Sequence, residues 1–201
     1  HQDGASLPEP GGRSVLVLQD LVEHRGRLGG RARADPPEID VGKLVVAPER
    51  EAAAVGLAVL RGGGHAVDAA VATALALAVT YSRAGNLGGG GFLLYRAPDG
   101  SHAALDFRET APQALTAALF TDASGRIDTA RSQNGGLSVG VPGTVAGLVA
   151  AHKRWGTRPW AELVAPAIRL AEEGVVVSER TAETLSAEKA RLAADPAAAA
   201  I

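Results

Sequence analysis

The chain has 201 residues, 46% of them hydrophobic and 21% charged, with a formal net charge of −2. That length supports one domain with a sizeable core, and the charge balance gives no electrostatic reason to expect nucleic acid or an anionic membrane as partner. The absence of cysteine excludes disulfides, thiolate metal sites and a cysteine nucleophile.

Residues 1–40 are rich in Gly, Pro and Arg, with one short apolar stretch, Val15 to Leu18, and a break at Asp35-Pro36-Pro37. They read as a disordered tail. No Met is present, no charged stretch leads into an apolar run and cleavage site, and no closing signal precedes Ile201. Both ends therefore read as cut, with any signal peptide lost.

From Val41 the signals become regular. Leu44-Val45-Val46-Ala47 has the composition of a short strand. Pro48 then suits the first turn of a helix, with Glu49 and Glu51 at its positive end and a stop at Gly62-Gly63-Gly64. A second helix, Ala66 to Thr80, is apolar nearly all round, which predicts cover on several sides. Its apolar run is shorter than the about 20 residues a bilayer needs. After the loop Ala84 to Gly91, strands Phe92–Arg96 and His102–Glu109 flank a turn at Ala97-Pro98-Asp99-Gly100, forming a hairpin.

Leu137 to Val141 reads as another strand. Pro142 starts a helix whose last turn holds Lys153 and Arg154, with Gly156 as a left-handed stop. A helix from Trp160 to Glu173 restarts at Pro166 and ends at Gly174. Ser178 caps a final helix running to Asp195-Pro196. This mixture of helices and hairpin strands is α+β or layered α/β, without the Rossmann pattern.

Gly88 to Gly91 follows a helix and precedes a strand, the reverse of a phosphate loop, so close backbone packing is the better reading. Gly136-Leu137-Ser138-Val139-Gly140 fits the nucleophile-elbow pattern. However, valines and Pro142 follow the serine, and His152 comes without an intervening acid. A strand serine is preferred. His65, His102 and His152 lack metal-ligand spacing. Pro142-Gly143-Thr144 offers helix N–H groups to an anion, a reading ranked below a simple helix start. In Asp106-Phe107-Arg108-Glu109, strand alternation turns Ala103, Leu105 and Phe107 inward and sets Asp106 and Arg108 together on the other face. Such an arginine presents a fork to a carboxylate. From the pattern alone, a structural Asp106–Arg108 pair is the better reading.

Five ordered stretches resemble the γ-glutamyltranspeptidase family. Arg61-Gly62-Gly63-Gly64-His65-Ala66-Val67-Asp68-Ala69-Ala70 is similar to its Gly-Gly-Asn-Ala-Val-Asp-Ala-Ala segment, with His65 in place of Asn. Ala84 to Phe92 resembles its glycine-rich segment, and Asp106-Phe107-Arg108-Glu109-Thr110-Ala111-Pro112 its large-subunit signature. Gly140 to Gly147 and Pro166 to Ala171 continue the match. The resemblance covers residues 41–195 and identifies 41–201 as the N-terminal portion of a large subunit.

The resemblance implies an N-terminal-nucleophile hydrolase αββα sandwich, partial here because the small subunit is lacking. It implies a precursor that cleaves itself. The new N-terminal Thr of the small subunit attacks the γ-glutamyl amide of glutathione and related compounds, and its own amine serves as base. Water or an amino acid or peptide then releases the glutamyl group. No catalytic residue falls in this chain, which alone is expected to be inactive. Arg108 carries over as the group that grips the substrate α-carboxylate. No metal or organic cofactor is implied. The implied partners are the small-molecule γ-glutamyl substrate and the small subunit, and the implied location is periplasmic or extracellular. The alternatives are a cephalosporin or glutaryl acylase relative and a non-enzymatic truncated product.

Overall fold

The computed structural model describes residues 43–200 and the backbone of one earlier strand, Val15–Gln19. The expectation for residues 1–40 otherwise lies outside the described residues. Within that strand (β1), a ladder replaces the expected tail. In chain order there follow α1 (Arg50–Arg61), α2 (Ala66–Thr80), β2 (Phe92–Arg96), β3 (His102–Asp106), α3 (Thr129–Gln133), α4 (Thr144–Trp155), α5 (Trp160–Glu173), α6 (Glu179–Ala193) and α7 (Pro196–Ala199). The sheet runs β1-β2-β3 with both pairings antiparallel, Val17 opposite Leu94 and Leu94 opposite Ala104.

Helix α2 is the centre of the helical layer and packs against α1, α4 and α5. Its apolar circumference explains this position, because Val67, Val71, Ala72 and Ala76 on successive turns all lose their solvent contact. Alternation along β2 sends Leu93 and Tyr95 into the same core, where they join Leu148 and Ala151 of α4 and Leu163 and Ala167 of α5. Phe92 and Leu94 point the other way and stay exposed. Gly56 allows α1 to sit close on α2, since a Cβ there would strike the Thr73 hydroxyl. That hydroxyl is turned onto the Ala69 carbonyl, 2.7 Å away.

Helix α1 starts after Pro48 with Glu49 as N-cap and Glu51 in the first turn. It ends at Gly62, after which Gly63 takes a φ of +82° that favours glycine. Strand β2 and the ends of α2 fall where the sequence places them, but β3 ends at Asp106 and not at Glu109, because backbone pairing with the β2 side stops at Phe107–Gly91. Ser178 caps α6 by accepting the Thr181 N–H, and its hydroxyl donates to Glu49, tying α6 back to the start of α1.

Several expectations need correction. Leu44–Ala47 has no strand partner among the described residues, so Leu44 and Val46 remain exposed. A strand needs a neighbour, and composition alone does not supply one. Residues 137–141 form a single 3₁₀ turn, Gly136–Ser138, followed by an isolated bridge between Val141 and Thr110. Pro166 neither breaks nor restarts α5, which is continuous. Leu163 and Ala167, buried on α2 either side of it, offset the lost hydrogen bond. Gly156 has extended rather than left-handed backbone, and it is needed because a Cβ would overlap the His152 ring.

Candidate functional site

The site is built where β3 ends. The residue after it, Phe107, still exchanges backbone hydrogen bonds with Gly91, N–H to O at 3.0 Å and the return bond at 3.4 Å. Its ring faces the helical layer and rests on Gly147 of α4, where a Cβ would overlap the ring. Gly143, at the N-cap of α4, lies against the Phe107 carbonyl, and Gly90 against Phe107, Arg108 and Glu109 backbone atoms. Two residues beyond Arg108 the chain is held again: Thr110 and Val141 exchange hydrogen bonds at 3.3 and 2.8 Å. Arg108 is thus carried on a short segment fixed at both ends.

The glycine-rich loop and the start of α4 are one unit. The Gly89 carbonyl accepts both the Gly143 and Thr144 N–H groups, at 2.9 and 3.0 Å. The Gly143 and Thr144 N–H groups, which the sequence offers to an anion, are thereby used inside the protein. The loop is packing structure, as its position between helix and strand predicts.

As predicted, Ala103, Leu105 and Phe107 face inward while Asp106 and Arg108 are exposed. The predicted Asp106–Arg108 ion pair is absent from the salt bridges among the described residues. Asp106 Oδ1 instead accepts the Arg108 backbone N–H at 3.0 Å. The Arg108 guanidinium lies 5.9 Å from the centroid of the Phe92 ring. It is presented on the sheet face away from the helices, without a carboxylate partner among the described residues.

A second polar cluster supports the scaffold. Asp68, with no solvent-accessible surface, accepts hydrogen bonds from His65 N–H (2.8 Å), Thr157 N–H (2.9 Å), Thr157 hydroxyl (2.7 Å) and Arg158 N–H (3.2 Å). It closes the N-terminal cap of α2 and pins the α4–α5 connection to it. Burial works against its charge, but the Thr157 hydroxyl and the three backbone N–H groups outweigh burial and hold its carboxyl below the ordinary 3.8. Sequence signals could not link Asp68 to Thr157, which lies 89 positions away.

His65 is the N-cap of α2. Its Nδ1 accepts the Val67 N–H at 3.3 Å, so in the neutral ring Nε2 carries the proton and donates to the Tyr95 hydroxyl at 3.1 Å. Burial lowers its pKa from 6.5, only partly opposed by the Asp68 charge. A depressed histidine contributes stability that is present above the unfolded value of 6.5 and is lost as pH falls below it toward the folded value. His65→Asn should therefore leave thermal stability of the complete protein near unchanged at about pH 7.5 and improve it relative to the parent at about pH 5. Parallel pH profiles of Tm for the two proteins would count against this role.

The remaining candidates are structural. The Ser138 hydroxyl donates to the Gly135 carbonyl at 2.7 Å, and His152 Nε2 lies 2.7 Å from the Arg158 carbonyl, so no hydrogen bond joins the two. Among the described residues no three His, Asp or Glu side chains gather as a metal site. No described helix is long and apolar enough to cross a membrane.

A helical layer on one face of an antiparallel sheet, with an arginine held on the other face, makes this part of a layered α+β sandwich. The γ-glutamyltranspeptidase profile matches residues 52–201, and the chain belongs to that family. A glutathione hydrolase proenzyme of Pseudomonas aeruginosa is 49% identical over 140 residues, which are 69% of this chain and 25% of that protein. The crystal structure of Helicobacter pylori γ-glutamyltranspeptidase superposes with a TM-score of 0.77 at 42% identity, covering 81% of this chain and 47% of that one. A cephalosporin acylase from Bacillus halodurans shares the fold at a TM-score of 0.59 and 32% identity, over 70% of this chain and 26% of its own. The chain spans about a quarter of the length of the curated relatives it matches.

Proposed function

We propose that this chain is the substrate-carboxylate-binding part of a γ-glutamyltransferase or glutathione hydrolase. The observation that supports it is the state of Arg108: a guanidinium with no carboxylate partner among the described residues, on a backbone segment fixed at Phe107 and Thr110. Its planar donor fork matches the α-carboxylate of a γ-glutamyl substrate.

The chemistry would be completed by a small subunit cut from the same precursor. Its N-terminal Thr hydroxyl, activated by its own α-amine, attacks the γ-amide carbonyl. The amine leaves and a γ-glutamyl ester forms on Thr. Water or the amine of an amino acid or peptide then takes the glutamyl group. No metal or organic cofactor enters this scheme. The parent protein is proposed to act in the periplasm or outside the cell.

The likeness to a cephalosporin acylase supports a second reading, hydrolysis of a glutaryl side chain. Expressing the complete reading frame decides between them. On a denaturing gel two bands are expected, the smaller starting with Thr, together with release of p-nitroaniline from γ-glutamyl-p-nitroanilide. A new N-terminal Ser with glutaryl release would favour the acylase. One unprocessed band without activity would reduce the proposal to a shared fold.

A further inference from the structure

We propose that Asp106 is a positioning residue for Arg108, acting through the backbone and not through an ion pair. The proposal rests on the reading of Arg108 as the carboxylate grip. On a regular strand, residues 106 and 108 stand side by side, and an acid in that place would take the arginine for itself. Here the carboxylate is engaged differently.

The cause lies in the ladder. Phe107 exchanges both backbone hydrogen bonds with Gly91, so the N–H of Arg108 points away from β2 toward the edge of the sheet that no described strand covers. Asp106 Oδ1 supplies the acceptor at that edge, 3.0 Å from the Arg108 nitrogen. This closes a local turn between residues 106 and 108 and sets the direction in which the Arg108 side chain leaves the backbone. It also draws the Asp106 charge onto an N–H, which weakens both its competition for the guanidinium and its repulsion of an incoming carboxylate.

Bond and charge can be separated by two conservative variants of the complete, self-processed protein, assayed with γ-glutamyl-p-nitroanilide. D106N loses the charge but keeps an oxygen acceptor at the same distance from the backbone. Its KM should stay within about threefold of the parent, and D106S, with a weaker acceptor of the same kind, should follow it. D106E keeps the charge but displaces it by one methylene, out of reach of the local bond. Its KM should rise about tenfold or more, the scale of one hydrogen bond to a charged group, with kcat changed less than threefold. Added to R108A, D106E should cost no more than about a further threefold, because its effect passes through Arg108.

The opposite order, D106N impaired and D106E near the parent, would show that the charge matters and would overturn the proposal. An impaired R108A beside an unimpaired D106E would remove Asp106 alone. A silent R108A would remove the reading of Arg108, and this proposal with it.

Discussion

Arg108→Ala in the complete protein should lower kcat/KM for a γ-glutamyl substrate by roughly 30-fold to several thousandfold. The range follows from removing one partner of a hydrogen-bonded charge pair, about 2–5 kcal/mol. Two features of the structure favour a large value. The guanidinium has no competing carboxylate among the described residues, so a bound substrate need not displace one. The segment that carries it is held by Gly91 on one side and Val141 on the other, so little backbone ordering remains to be done when substrate binds. Arg108→Lys should fall between, since it keeps the charge and loses the fork. Steady-state kinetics on the processed protein are sufficient. A kcat/KM within about threefold of the parent for Arg108→Ala would show that Arg108 is only a surface residue lying over Phe92.

Legibility in the sequence followed the range of the interactions involved. Helices α1 and α2 and the hairpin are written in local chemistry: a proline and acids at one start, three glycines at one stop, a Pro-Asp-Gly turn. Those features act within a few residues, and the structure places the elements accordingly, except that β3 stops at Asp106 and not at Glu109. Leu44–Ala47 and 137–141 failed as strands for the converse reason, because partners elsewhere in the chain decide whether an extended segment pairs. Pro166 is a local signal overruled by burial of Leu163 and Ala167.

The site shows the same division. Alternation correctly puts Asp106 and Arg108 on the open face, yet the carboxylate goes to a backbone N–H because the pairing of Phe107 with Gly91 turns the Arg108 N–H away from β2. Side-chain alternation carries no information about which backbone N–H groups a ladder leaves unpaired. Gly143 and Gly147 were legible only as part of a family motif. Gly147 lies inside a helix, where glycine costs about 1 kcal/mol against alanine, and that cost is the sign of a close neighbour. The neighbour, the Phe107 ring, came only with the fold.

Asp68→Ala should be among the most destabilising single changes in this part of the protein, by about 3–5 kcal/mol. It would leave the N–H groups of His65, Thr157 and Arg158 and the Thr157 hydroxyl without their acceptor, in a place the solvent does not reach at Asp68 itself. Each hydrogen bond to a charged group contributes about 1.5–3 kcal/mol, and partial access of water to the donors reduces the sum. The effect must be local before it is global, because Asp68 joins the start of α2 to the α4–α5 connection. Hydrogen exchange of the complete protein should therefore show the Thr157 and Arg158 amides losing protection even where the core of α2 keeps it. The pH dependence has a definite sign. The folded carboxyl lies below 3.8, so its stabilisation is present above that value and is lost as pH falls through the folded one. The deficit of Asp68→Asn against the parent should be full at neutral pH and shrink only below about pH 4. A deficit that did not change in acid would mean that shape, not charge, holds the cap to the connection.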